Sequence, residues 1–283
     1  MSADLPEIGW IDLPGVVNMR DLGGKPAVDG GSTVAGRVIR TDNLQDLPAD
    51  SVRRLVDEFG VTDVVDLRTN VERTSTGDGP LKAEQLTFHE LSLYAEDSTE
   101  HGIPDVDDDP DPSLPWQDDF TAESKQAIGH EQHLAEHYSG YLERRPDNVV
   151  RALRAIAQAP GTVLVHCAAG KDRTGTICAM ALTEVGVDRA AVVADYDATN
   201  QRVELIFQRL ATTPTYAADL ATQEVVDQTT PAGTMRRLLD FLDAHHGGVH
   251  GWLVSQGWTD EDHERLVTKL LATEPRENTE ENR

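Results

Sequence analysis

The sequence predicts an α/β fold in which a central, mostly parallel sheet is wrapped by helices and the C-terminal half is helix-rich. Three observations predict it. Short β-branched runs, Val61 to Arg68 and Thr162 to Val165, end abruptly in polar or charged residues. A helical pattern follows the second run at once. Strand signals crowd the N-terminal half, and from residue 121 onward almost everything outside Thr162–Val165 has helical periodicity. A chain of 283 residues holds one large domain or two small ones. With no internal repeat and one continuous run of elements, residues 1–272 are read as a single domain and 273–283 as a flexible tail.

In chain order, Ser32 to Leu44 carries a strand-like β-branched core. The segment LPADSVRRLVDEFG reads as a helix capped by Asp50 or Ser51 and stopped by Gly60. Val61 to Arg68 is a buried strand, and Leu86 to Leu91 alternates like another. From Glu96 to Asp119 the chain is acidic and proline-rich, an insertion read as a solvated loop, with a mobile cover over the active site as the alternative. Helices are predicted over Thr121–Arg145, Asp147–Ala159, Arg173–Val185, Arg189 to about Leu210, Tyr216–Val226, Thr234–His246 and Thr259–Leu271. The tail PRENTEENR frays.

Composition bounds the setting. The formal charge is −25 and the isoelectric point about 4.6. Lys25, Lys82, Lys125, Lys171 and Lys269 are the only lysines. Acid excess spread along the chain, with so few lysines, resembles proteins that work in concentrated salt, where self-repulsion is screened. It argues against nucleic acid as a partner. No apolar run approaches the ~20 residues that span a bilayer, so stable membrane insertion is not expected. The start MSADLPEIGW lacks a basic, apolar leader, and a cytoplasmic location is the expectation. The two cysteines are Cys167 and Cys178. Cys178 lies within a predicted helix and reads as a small buried residue.

The stretch GTVLVHCAAGKDRTG, residues 161–175, carries the chemistry. The strand delivers His166 and Cys167. A glycine-bearing loop of Ala168, Ala169, Gly170, Lys171 and Asp172 follows, and Arg173 and Thr174 open a long apolar helix. The N–H groups of such a loop can converge on an oxyanion, and the helix adds its positive end. That field favours the thiolate of Cys167, as in settings that bring a free cysteine from ~8.5 down to roughly 3.5–7.5. The guanidinium of Arg173 can grip two phosphate oxygens at once. These parts aim a nucleophile at a held phosphorus atom, with no metal and no cofactor required.

Two other patterns are weaker. His133, Glu136 and His137 fit an H-x-x-E-H zinc spacing with His130 nearby, but acidic residues are so common here that a match is cheap, and a polar helix face is preferred. Gly170-Lys171 fails as a nucleotide P-loop, because Asp172 stands where Ser or Thr must hold magnesium. Proton donation to the leaving oxygen requires a carboxyl. Asp66, at the end of a buried strand, and Asp172, inside the loop, both qualify. Asp66 is slightly preferred, since a strand end can approach the leaving group from the side opposite the sulfur. The alternatives are a structural carboxylate paired with Arg68 and a residue that orients the loop.

The chain resembles the atypical tyrosine, dual-specificity and lipid phosphatases of bacteria and archaea, of the mycobacterial protein tyrosine phosphatase B type. The blocks that carry the likeness are Asn18–Gly24, Gly36–Asp42, Val64–Arg68 with Glu72 and Arg73, His166–Gly175, Ala194–Tyr196 and Gly257–Asp262, spread over roughly residues 12 to 272. The resemblance implies a cysteine-dependent phosphatase fold and a phosphocysteine intermediate formed without metal. It implies Cys167 as nucleophile and Arg173 as phosphate clamp. Lys171 and Asp172 match signature loop residues, and Asp66 matches an aspartate considered for acid catalysis. The chain departs from the type in its acidic, proline-rich insertion, which stands where the mycobacterial type has a helical lid.

The expected reaction is in-line attack of Cys167 on a phosphate held by residues 168–174. A carboxylic acid protonates the leaving oxygen, Thr174 hydrogen-bonds the sulfur, and His166 orients the cysteine through the backbone. The expected partner is a phosphorylated protein, or a small-molecule or lipid phosphate. A sulfurtransferase and a non-catalytic phosphate-binding module are the rival readings. The loop residues Lys171 to Thr174 favour phosphate over the first, and Cys167 itself, which a binder does not need, argues against the second.

Overall fold

Strand β6, Thr162–His166, lies in the middle of a six-stranded sheet, and all five of its residues are buried. The computed structural model describes residues 7–94 and 128–272. The strands are β1 (Gly9–Trp10), β2 (Arg20–Asp21), β3 (Val38–Thr41), β4 (Val61–Asp66), β5 (Thr87–Glu90) and β6, in the spatial order β1-β2-β3-β6-β4-β5. The pairs β3–β6, β6–β4 and β4–β5 are parallel, and β1 and β2 add an antiparallel edge.

Successive residues of a strand face opposite sides of a sheet. Val163 and Val165 accordingly pack into the larger core with Val38, Val65, Leu153 and Tyr138, while Leu164 packs with Ile39, Val64 and Leu55 on the other face. Cover on both faces explains why the run Val163-Leu164-Val165 is apolar without alternation. The register aligns Thr41, Asp66 and His166 at the same end of the sheet. Ligands of open α/β sheets sit beyond the C-terminal ends of the strands, and Asp42, Leu67 and Cys167 emerge there.

The described helices are α1 (Ala49–Arg53), α2 (Asn70–Thr76), α3 (His130–Arg144), α4 (Pro146–Gln158), α5 (Asp172–Glu184), α6 (Arg189–Asp197), α7 (Val203–Ala211), α8 (Pro214–Leu220), α9 (Ala232–His246), α10 (Gly248–Ser255) and α11 (Asp260–Leu270). Several expectations are corrected. Neither Asp50 nor Ser51 caps α1; the Ser51 hydroxyl donates instead to the carbonyl of Pro14 at 2.8 Å, and α1 runs into a wide turn, Arg54–Glu58. The helix expected from Arg189 to Leu210 is broken by a 3₁₀ turn, Ala198–Arg202. There Asn200 leaves the helical pattern to donate to Thr230 O at 3.0 Å and accept from Thr230 N at 2.7 Å, a tertiary bond no local periodicity announces. The segment Tyr216–Val226 is helical only to Leu220 before a 3₁₀ turn at Val225–Gln228. Helices α2 and α10 were not anticipated. The insertion 96–119, the start of the helix expected from Thr121, and the tail lie outside the described residues.

Cys178 lies inside α5, fully buried, and burial pushes its thiol up to about 11.

Candidate active site

The loop from Cys167 to Arg173 is held from behind by its carbonyls. Asn43 N donates to Ala168 O at 3.0 Å. Asn18 Nδ2 donates to Ala169 O at 2.9 Å and Gly170 O at 3.1 Å. An Arg40 guanidinium nitrogen donates to Gly170 O at 2.7 Å. With the carbonyls occupied outward, the N–H groups of Ala168, Ala169, Gly170 and Lys171 find no acceptor among the described residues, which leaves them available to an anion as in an anion nest. Gly170 sits at φ +65, and a Cβ there would lie 2.4 Å from Thr41 O, so only glycine lets the loop turn against β3. Thr174 Oγ1 is buried without a partner among the described residues, the Cys167 sulfur included.

Arg40 is itself fixed by a buried charge cluster. Asp195 on α6 faces Arg40 at 2.7 Å, Lys25 at 3.1 Å and Arg20 at 3.3 Å, with all four side chains nearly inaccessible. Burial alone would raise the Asp195 pKa, but the three cations outweigh it and hold the carboxyl well below the usual range. Arg20 also donates to Asn18 Oδ1 at 2.7 Å, so the cluster reaches the loop along two routes. Three cations against one anion leave positive charge behind the nest.

Arg173 is aimed by Glu72. Its two terminal nitrogens lie 2.6 Å from Oε2 and 2.8 Å from Oε1, and one also donates to Leu67 O at 3.2 Å. Burial acts against the guanidinium charge, but Glu72 outweighs it and raises its pKa far above the usual value. Glu72 is the third residue of α2, where Thr69 Oγ1 accepts from Glu72 N and Glu72 Oε2 accepts from Thr69 N. The Tyr216 hydroxyl donates to Glu72 Oε1 as well.

The two candidate acids differ. Asp66 accepts from Arg68 N at 3.0 Å and from Arg68 Nε and a terminal nitrogen at 3.0 and 2.6 Å, with His166 Nε2 3.7 Å away. Burial raises its pKa, but His166 and Arg68 outweigh burial and leave it well below the carboxylate range. Asp172 opens α5 and accepts a hydrogen bond from the Tyr138 hydroxyl, which pairs with the Tyr196 hydroxyl at 2.8 Å. Burial raises Asp172 too, but Lys171 at 3.6 Å and Tyr138 keep it lowered. The Lys171 ammonium is placed by Gln228, at 3.0 Å from Oε1 and 3.1 Å from the carbonyl. His166 Nδ1 donates to Cys167 O at 3.2 Å, and burial lowers its pKa.

The loop is covered. Ile206 and Leu210 of α7 and Tyr216 and Leu220 of α8 pack on Ala168 and Ala169. Arg209 of α7 pairs with Asp42, and with Asp46 at 3.1 Å. Cys167, next to Ala168 in the chain, is only 1% exposed. Among the described residues a helical cover thus exists, and it follows α6 in the chain.

His133 and His137 are not a polar helix face, as expected, but buried. The Tyr94 hydroxyl meets His137 Nε2 at 2.9 Å, and burial lowers His137 to about 3. Glu136 is exposed and accepts from Gln132 at 2.7 Å, so the three residues of the zinc spacing do not share a face. Glu72, Asn18, Arg40 and Asp195 are the site residues that reasoning from the residues did not assign. Thr69-x-x-Glu72, a capping-box pattern, was the readable signal for α2.

The sequence model of the tyrosine phosphatase family matches residues 11–272. The triple specificity protein phosphatase PtpB of Mycobacterium tuberculosis is 32% identical over 218 residues, 71% of this chain and 72% of that protein. A tyrosine-protein phosphatase of Nostoc commune is 26% identical over 251 residues, 87% of this chain and 78% of that one. Among solved structures, P. aeruginosa TpbA covers 81% of this chain and 96% of its own at 14% identity and a TM-score of 0.32.

Proposed function

The chain belongs to the tyrosine phosphatase family, and from that premise we propose that it hydrolyses phosphomonoesters through a phosphocysteine at Cys167. The observation that carries the reading is the loop from Ala168 to Lys171, its carbonyls tied to Asn18, Arg40 and Asn43 and its N–H groups without an acceptor among the described residues, with Arg173 held by Glu72. Cys167 Sγ attacks phosphorus in line, the S–P bond forms, and the bond to the leaving oxygen breaks. Loop amides and Arg173 take up the charge on the three equatorial oxygens. Water then attacks phosphorus, the S–P bond breaks, and inorganic phosphate leaves.

Asp172 is the proton donor in this reading. Asp66 is engaged by Arg68 through three bonds and has no reason to carry a proton. Asp172 is also ionised in the free site, but a phosphate dianion bound in the adjacent loop raises its proton affinity. The Tyr138 hydroxyl then orients one carboxyl oxygen and leaves the other for the leaving group. Substrate entry in this reading requires α7 and α8 to move off the loop, since they pack on Ala168 and Ala169 next to the buried Cys167.

The substrate class proposed is phosphotyrosine and related phosphate esters. The relative described as triple specificity supports a broad range. Lys171, a buried cation at the loop, favours phosphoinositides as a second reading. The charge of −25 supports work in concentrated salt. A panel of phosphotyrosine and phosphoserine peptides and inositol phospholipids, assayed in molar KCl with Cys167→Ser as the blank, tests the reading. The variant is expected to bind vanadate and turn nothing over. Turnover of none of these substrates by the wild-type chain contradicts it.

A further inference from the structure

We propose that Glu184, His250 and His263 form a structural binding site for a divalent cation of the zinc class, away from the catalytic loop. Glu184 ends α5, His250 lies on α10 and His263 on α11, so three separate helices converge. Their potential ligand atoms all lie within 4.8 Å of one another. His250 Nδ1 and His263 Nδ1 are 3.0 and 2.7 Å from Glu184 Oε1, with the two rings crossed at 81°.

Hydrogen bonding alone does not explain the cluster. Trp258 Nε1 donates to the same Oε1 at 3.1 Å, so three nitrogens crowd one carboxylate oxygen, which has two lone pairs. Glu184 Oε2 is buried and has no partner among the described residues. The side chain of Glu184 is 0% exposed, so that oxygen has no access to bulk water. A cation that takes a lone pair from each Nδ1 and one from the Glu184 carboxylate ends the crowding of the two imidazoles on Oε1 and compensates a buried carboxylate whose Oε2 has no partner among the described residues.

The chemistry fits a borderline metal. Two imidazoles and a carboxylate are a zinc donor set, with water in the fourth position. Ligand atoms at ~2.0–2.2 Å from a tetrahedral ion lie about 3.3–3.6 Å apart, so the nitrogens now 2.7 and 3.0 Å from Oε1 have to open outward by roughly 0.3–0.9 Å to admit the ion. Two fields attract a cation there. The C-terminal end of α5 carries partial negative charge, with no basic residue in its last turn. The whole chain adds its net −25. His250, 57% exposed, provides the entry path. Asp172 and Glu184 are the two ends of the thirteen-residue α5, roughly 18 Å apart, so the site's role is to join α10 and α11 to the helix behind the loop.

The test uses the full chain carrying Cys167→Ala, so that the loop thiol cannot compete, freed of metal by chelation and titrated with zinc chloride alone by calorimetry. One equivalent is expected to bind. A hundredfold excess over Kd is expected to raise the melting temperature by roughly 5 °C. Both effects are expected to vanish in His250→Gln and His263→Ala. His250→Gln changes an exposed position and is expected to melt like the parent in chelator, which separates lost binding from lost fold. Cobalt(II) in place of zinc is expected to show the visible bands of a tetrahedral site. Absence of saturable binding, or binding that survives both substitutions, overturns the proposal.

Discussion

Glu72 grips Arg173 with both carboxylate oxygens, at 2.6 and 2.8 Å, and the same carboxylate closes the cap of α2 on Thr69. The helix cap and the guanidinium proposed to clamp phosphate therefore share one group. Neither can relax without the other, because a buried guanidinium that loses its partner is left as an uncompensated charge.

Glu72→Gln is expected to leave Arg173 present but poorly aimed. The loss falls mainly on kcat, by ~10²-fold, equivalent to about 2.7 kcal/mol of transition-state binding. Stability drops by about 3–5 kcal/mol, as for other broken buried pairs. Phosphate supplies a new anion for Arg173, so it should raise the melting temperature of the variant more than that of the wild type. Steady-state kinetics and melts with and without phosphate check this. An unchanged kcat refutes the clamp role.

Asp172→Asn is expected to lose more activity on phosphotyrosine, whose leaving group has a pKa near ~10, than on p-nitrophenyl phosphate, whose leaving group needs little help. Its alkaline limb in the pH–rate profile should flatten. Asp66→Asn should slow both substrates alike and lower stability, because Arg68 loses its partner. A selective loss on phosphotyrosine in Asp66→Asn reverses the assignment.

Why some of this was legible in the sequence and some was not has a physical basis. The loop from Cys167 to Thr174 is contiguous, so the residues that compose it can be read directly. The strand ends that frame it follow from β-branched runs with charge at their C-terminal ends. Glu72 lies about a hundred positions from Arg173, and its pairing depends on how α2 docks. Arg20, Lys25, Arg40 and Asp195 read as ordinary charges in an acidic chain, because only tertiary packing buries them together. The break between α6 and α7 is fixed by Asn200 reaching Thr230, again non-local. Helix α10 begins after Gly247 and contains Gly251, residues that speak against a helix until packing overrides them.

Asp195→Asn is expected to cost about 3–5 kcal/mol, since Arg20, Lys25 and Arg40 stay buried with a neutral partner. The variant also tests acid stability. Asp66, Glu72, Asp172 and Asp195 all have folded pKa values below their ordinary ones. Groups lowered on folding stabilise the native state above their unfolded values, ~3.9 for Asp and ~4.3 for Glu, and that stability is lost as pH falls toward the folded values. Urea unfolding from neutral pH down to about pH 3 should show a falling wild-type curve and a shallower slope in Asp195→Asn. Equal slopes contradict the assignment.

Salt should stabilise the chain. With a net charge of −25, like-charge repulsion is screened as KCl rises from ~0.1 M to ~2 M, and the melting temperature is expected to increase over that range. A melt that is flat or falls with KCl rules out the high-salt adaptation.

Transfer of the phosphoryl group to Cys167 is tested most directly by stopping turnover of a radiolabelled phosphotyrosine peptide with rapid denaturation and mapping the label. The expected result is phosphate bound covalently to the peptide that contains Cys167, and no label in Cys167→Ser, which also does not turn over. Label on another residue, or turnover that survives Cys167→Ser, contradicts it.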